Sequence, residues 1–186
     1  MSLRVISGKA KGRKLKDAPG ETTRPVTDMV KEALFNILAG DVQDSKWWDL
    51  FGGTGAIGIE ALSRGAAFVR FSDLNRAPIE TIRANLESTG FGSQAEIRRG
   101  DAFAMLEASP TMQFDYVYIA PPQYKEMAWK ALLILDGNPG WLNNDEGAWV
   151  IVQIHPREYR RLELQALEEF DQRKYGNTLL VFYEKK

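Results

Sequence analysis

The chain has no cysteine among its 186 residues and a single histidine, His155. Disulfides and thiolate metal sites are thereby excluded, and one imidazole cannot build a histidine cluster, so no metal is expected. No apolar run approaches the ~20 residues that cross a bilayer, and no signal peptide is visible. The expected setting is therefore a soluble protein of the cytoplasm, with no membrane contact. An excess of either charge is also nearly absent overall, at a net −1. That balance hides an asymmetry. Residues 1–16 hold Arg4, Lys9, Lys11, Arg13, Lys14 and Lys16 and no acid, which leaves −7 on the remainder. A basic arm on an acidic body suits a polyanion approached from one end. The bland reading is a solvated tail.

The rest is an ordinary globular composition, 44% hydrophobic and 26% charged, in a length that suits one domain with a real core. Two units are expected: a basic N-terminal hairpin and linker over residues 1–23, and a catalytic domain over 24–186. Within the first, Arg4–Ser7 and Arg13–Lys16 flank the turn Gly8-Lys9-Ala10-Lys11-Gly12. Asp17–Thr23 reads as a polar linker. Thr27 is the expected N-cap of a helix whose apolar face carries Met29, Val30, Ala33, Leu34, Ile37 and Leu38, with Gly40 as its end.

The stretch Asp49-Leu50-Phe51-Gly52-Gly53-Thr54-Gly55-Ala56-Ile57-Gly58 organises the remainder of the chain. Lys46-Trp47-Trp48 leads in as a strand, and Ile59-Glu60-Ala61-Leu62 leads out as a helix. Gly53, Gly55 and Gly58 fit the G-x-G-x-x-G turn of a Rossmann-type nucleotide site. Asp73 stands twenty residues beyond Gly53, at the end of a second strand, where an acid can take both hydroxyls of a ribose. The bland reading of Asp73 is a turn or cap residue before the helix at Asn75–Pro78. Asp49 suits a ligand with an ammonium group and repels the paired phosphates of a dinucleotide. The combination favours S-adenosylmethionine (S-adenosyl-L-methionine).

Further strands are expected at Ala95–Arg99, Phe114–Ile119 and Gly147–Ile154, with helices from Asp101 and from Lys125 to Leu135. Residues 166–174 and 177–183 read as a closing antiparallel hairpin around Gly176-Asn177. The fold class is α/β: a Rossmann-like, mainly parallel seven-stranded sheet with that hairpin at its edge and the basic hairpin in front. Ligands of such sheets sit beyond the strands' carboxyl ends, which brings Ile119-Ala120-Pro121-Pro122-Gln123-Tyr124 beside the glycine turn. Trp47 and Trp48 are read as core residues, His155 as a loop residue, and Arg157, Arg160 and Arg161 as a solvated basic cluster.

End to end, these segments resemble the RsmD family, which methylates the exocyclic N2 amine of a guanine in small-subunit ribosomal RNA. The resemblance runs through Gly8–Leu15, Arg24–Asp28 into Glu32–Asn36, Asp49–Gly58, Glu60–Ala66, Asp73-Leu74-Asn75, Asp101-Ala102 and Pro121-Pro122. It implies that the Gly53–Gly55 backbone holds the methionine part of the cofactor, that Asp73 binds the ribose, and that Asp101 takes the adenine amine with Ala102 against the ring. Phe51 and Leu74 join that cofactor set, and Arg24 and Thr27 lie over it. The implied partner is small-subunit ribosomal RNA, or a partly assembled small ribosomal subunit, with the protein acting as a monomer. Arg4, Lys9, Lys11, Arg13 and Lys14 would hold phosphates.

One position departs from the family pattern. Asp or Asn precedes the two prolines in the family, and this chain has Ala120; Gln123 stands where an aromatic residue is expected, and Tyr124 comes one later. A guanine amine is a poor nucleophile, so acceptors that grip its hydrogens matter. The substitutes available in the sequence are the carbonyls of Ala120 and Pro121 and the amide of Gln123, beside Pro122 and with Tyr124 to stack on a flipped base. Ala120 leaves three outcomes: a working site, a slow one, or an RNA-binding or ribosome-assembly protein without turnover. The intact cofactor motif favours an enzyme. A methyltransferase for another nucleic acid amine or for a small molecule is a rival reading, and a Rossmann dehydrogenase a more distant one.

Overall fold

The computed structural model describes residues 2–19, 26–145 and 147–186. Arg24, with Gly20–Thr23 of the expected linker, lies outside the described residues. Among the described residues seven strands form one sheet: β1 (Lys46–Asp49), β2 (Phe68–Asp73), β3 (Ala95–Arg99), β4 (Tyr116–Ile119), β5 (Trp149–Ile154), β6 (Leu167–Tyr175) and β7 (Thr178–Lys185), in the order β3-β2-β1-β4-β5-β7-β6. The pairs from β3 through β5 are parallel, and β7 runs antiparallel to both β5 and β6. The strand order reverses at β1, so the switch point of the sheet opens between the carboxyl ends of β1 and β4.

The helices cover both faces: α1 (Asp28–Leu38), α2 (Ala56–Ser63), α3 (Arg76–Thr89), α4 (Ala102–Glu107) and α5 (Met127–Gly137). Strand alternation sends Trp47 and Trp48 to opposite faces, each fully buried. Trp47 packs with α1, α2 and α3, and Trp48 with α4 and α5. Burying one such ring contributes roughly 4–6 kcal/mol as an upper bound.

The basic hairpin shares the first of these cores. Leu3, Val5 and Leu15 are buried in it, and the hairpin closes through Val5 N–H to Arg13 O (2.9 Å) and Leu15 N–H to Leu3 O (2.8 Å). Glu60 of α2 receives the amides of Ile6 (2.9 Å) and Ser7 (3.0 Å). Its carboxylate also meets Lys31 of α1 and Arg64, and Lys31 donates to the Arg4 carbonyl. A buried charge is tolerable only when its partners are this complete.

Two local expectations are corrected. α1 stops at Leu38, and Ala39 takes the reversal at φ 45° before a 3-10 turn over Ala39–Val42. Gly40 does not end the helix, because the earlier, tighter turn lets Val42 reach the core. The helix expected from Lys125 begins at Met127, because Tyr124 and Glu126 both sit at positive φ (60° and 56°) and break helical geometry.

Candidate active site

Two adjoining clefts open where β1 and β4 end. The first, about 310 Å³, is walled by Asp49, Gly52-Gly53-Thr54, Tyr118 and Pro121, with Asp17 and Ala18 of the hairpin's far end opposite. The second, about 270 Å³, is walled by Asp73, Leu74, Asp101, Ala102 and Phe103. Phe51, Gly53 and Ala120 border both.

Backbone geometry builds this region. Gly53 and Gly55 have φ of 55° and 78°, which side chains disfavour. The Gly55 amide donates to Gly52 O (2.7 Å), so Gly55 shapes the turn and offers no free N–H. Gly58 is needed for closeness: a Cβ there would lie 2.2 Å from the Phe71 ring. Asn85 of α3 donates to Thr54 O (2.9 Å) and exchanges two hydrogen bonds with the Lys16 backbone, tying the glycine turn to the hairpin.

Asp49 is buried and accepts one long hydrogen bond, from Gly58 N–H at 3.3 Å. Lost hydration pushes its pKa up to about 7; the Gly58 amide pulls it down and the negative Asp73 adds to the rise. A carboxylate so poorly compensated is completed by a cationic ligand and made worse by an anionic one. Asp73 accepts from Gly53 N–H (3.1 Å) and Asn75 N–H (3.0 Å), which locks its carboxylate at the cleft mouth. Asp101 caps α4 by accepting from Phe103 N–H (2.7 Å) and Ala104 N–H (3.5 Å), and it also lines the second cleft. The cap and the cleft wall are thus one residue. Phe51 stands edge-on to Phe103 (6.2 Å), Ala102 is buried beneath, and Leu74 is exposed above.

A third cleft, about 610 Å³, lies on the other side of Pro122. Tyr124, Lys125, His155 and the β6–β7 turn at Tyr175–Asn177 line it. It shares Val26, Gln123 and Gln153 with the first cleft. Tyr124 is exposed, held by its amide donating to Glu158 (2.7 Å), with its ring 5.5 Å from that of His155. Thr27 caps α1 by accepting from Val30 N–H (3.3 Å) and lines this third cleft, apart from the first two. Lys9, Lys11, Arg13 and Lys14 are exposed on the hairpin, whereas Arg4 is engaged by Asp28 at 3.0 Å. Arg160 pairs with Glu126 at 2.9 Å. Among the described residues no group of three or more His, Asp or Glu is placed to hold a metal ion.

Sequence reasoning passes over Tyr118, Gln153, His155 and the β6–β7 turn as site residues. Gln153 does leave a signal, as the only polar residue in the run Trp149–Ile154.

Residues 3–184 match the model of the family described as conserved hypothetical protein 95. YlbH of Bacillus subtilis (strain 168), a candidate rRNA methyltransferase by name, is 38% identical over 187 residues, covering 99% of this chain and all of that one. Ribosomal RNA small subunit methyltransferase D of Escherichia coli (strain K12) is 36% identical over 154 residues, covering 82% of this chain and 75% of that one. The chain belongs to the RsmD family. Its fold agrees: the solved structure of yhhF, a candidate methyltransferase of Escherichia coli, superposes with a TM-score of 0.87 at 28% identity, over 100% of this chain and 99% of that one. The architecture is that of the class I S-adenosylmethionine-dependent methyltransferases, and the three clefts occupy the ligand end of that architecture.

Proposed function

We propose that this chain methylates the exocyclic N2 amine of a guanine in small-subunit ribosomal RNA, using S-adenosylmethionine. Ribosomal RNA methylation with that cofactor follows from the family and the fold; the N2 target is our reading. The observation that carries it is the pair of clefts on either side of Pro121-Pro122, one holding an under-compensated buried carboxylate and the other larger, lined by aromatic rings and continuous with it.

When bound, the cofactor supplies a methyl group activated by a sulfonium charge. In this reading Asp49 neutralises the ammonium, the Gly53 turn lies along the methionine part, and Asp73 takes the ribose. Asp101, Ala102, Phe51 and Leu74 enclose the adenine. Thr27, which lines the third cleft, is assigned to the acceptor side. The flipped base enters the third cleft and stacks on Tyr124. Its amine is gripped by the carbonyls of Ala120 and Pro121 and by Gln123, beside Pro122. These acceptors would aim the lone pair of the amine at that methyl group, and the surplus proton of the methylated amine would leave to water.

Residues 1–23 serve as the RNA-gripping unit on a methyltransferase domain of residues 24–186. Lys9, Lys11, Arg13 and Lys14, with Arg4 once it leaves Asp28, meet phosphates of naked RNA or of a partly assembled subunit. The working form is a cytoplasmic monomer. The test is methyl transfer to small-subunit particles, read by nucleoside mass spectrometry. N2-methylguanosine is the expected product. A methylated adenine would redirect the substrate, and a cofactor-binding but inert wild type would favour the non-catalytic reading that Ala120 motivates.

A further inference from the structure

The amine needs a fixed acceptor, and Ala120 has no side chain to provide one. Gln123 is a poor replacement as it stands: it is exposed, and among the described residues no hydrogen bond holds its amide. It must lose its rotamer freedom when substrate binds. A second amide reaches the same wall from a different strand.

We propose that Gln153 is the side-chain group that grips the target amine in place of the residue missing at position 120, and that Tyr118 fixes its orientation. This rests on the amine-methylating function proposed above. Asp49 pairs with Tyr118 across β1 and β4, and Tyr118 pairs with Ile151 across β4 and β5. Gln153 lies two residues beyond Ile151 and so on the same face. A polar row therefore runs from the buried carboxylate of the first cleft to the edge of the third. Gln153 borders both clefts. The Tyr118 hydroxyl, buried beneath, donates to Gln153 Oε1. Burial, and then the neighbouring Asp49, push the Tyr118 pKa well up, so that hydroxyl keeps its proton to donate.

An amide oxygen has two acceptor sites, and Tyr118 uses one. The second is available to a guanine N2–H, and Nε2–H can donate to the adjoining N3 of the same base. The glutamine takes no proton in the reaction. It turns the amine so that its lone pair points toward the first cleft. An acceptor already held by a buried hydroxyl costs no reorganisation at that moment, which is what makes preorganised polar groups effective. Placing a glutamine in an otherwise apolar central strand is then explained by the substrate and not by the core.

The test uses two readouts on the full chain. The first is the affinity of guanosine monophosphate and inosine monophosphate, which differ by the 2-amino group alone, for protein saturated with S-adenosylhomocysteine. The wild type should prefer the guanosine nucleotide by about 2- to 10-fold, the worth of one net hydrogen bond. Gln153→Ala should lose that preference and Tyr118→Phe should weaken it, with a cooperative thermal unfolding transition retained in both as the check on folding. The second readout is kcat on small-subunit particles. Gln153→Ala should lower it by about 10- to 100-fold, and Ala120→Asn in that background should restore part of the loss. Wild type that binds both nucleotides alike, or Gln153→Ala within twofold of wild type in both readouts, overturns the inference. A wild type that methylates no guanine yet loses its nucleotide preference in Gln153→Ala overturns the enzymatic function and leaves the amine grip standing.

Discussion

The two clefts beside the glycine turn and the third cleft beyond Pro122 are built by different means. The first two clefts are backbone constructions: a turn with two positive-φ glycines, amides locked onto Asp73 and Asp49, and a helix pressed against a phenylalanine ring. The third cleft is a side-chain construction, assembled from exposed groups on the β4–α5 loop, the end of β5 and the β6–β7 turn. Backbone sites need glycine and acid at fixed spacing and tolerate little else. Side-chain sites can be made in many ways from elements far apart in the chain. That difference ties the first region to a fixed spacing of glycines and acids and lets the other vary with its side chains.

The contrast is broken most severely at glycines. Gly58→Ala puts a methyl group into the Phe71 ring and against Val69, and should cost about 3 kcal/mol or more by urea unfolding. Gly176, at φ 58° with open space around it, should cost only about 1–2 kcal/mol on the same substitution, all of it backbone strain. Equal losses would erase the distinction between the two regions.

Next comes Asp49→Asn. Cofactor affinity should fall by about 5- to 30-fold by calorimetry, as a charge-assisted bond worth about 1.5–3 kcal/mol becomes a neutral one worth about 0.5–1.5 kcal/mol. The unliganded variant should nevertheless melt higher. The folded-state pKa of Asp49, about 7, lies above its ordinary value of 3.8. The stability it contributes is therefore full below pH 3.8 and is lost as pH rises to 7. The advantage of the amide should be absent in acid, grow across that window and level off above it, reaching a few kcal/mol at most. Wild-type cofactor affinity should fall as pH drops below 7, by up to about tenfold per unit, and stay flat in the Asp49→Asn variant.

A smaller effect sharpens the acceptor side. Tyr124→Ala should lower kcat/KM on RNA particles by about 10-fold through lost base stacking, with cofactor affinity unmoved. The smallest is at the hairpin. Lys9→Ala and Lys11→Ala should each reduce the slope of log affinity against log salt by about 0.7–0.9, with little change in kcat.

Legibility along the chain divides in the same way. Strand, glycine turn and helix are local, and Asp73 lies a fixed unit-length downstream, so the turn and the acid beside it were legible from spacing. The Trp47-Trp48 pair was legible as core because alternate residues of a central strand face opposite layers. The β6–β7 turn was legible as a hairpin at Gly176-Asn177, but that it and Gln153 line one cleft was not, because that neighbourhood exists only once β5 and β7 pair beside β4. The Ala39 reversal was missed because the burial of Val42, a tertiary demand, outweighed the glycine next to it.

By itself the order of residues determined the fold class, the glycine turn and the carboxylates at its edge, since each depends on neighbours within one strand-and-helix unit. It also determined the basic charge of the first sixteen residues. Only the folded chain decided that Asp49 is desolvated, that Asp101 is cap and cleft wall together, and that Tyr118 holds Gln153 at the join of two clefts. Desolvation and side-chain convergence are products of packing between segments far apart in the chain, and local sequence carries no record of them.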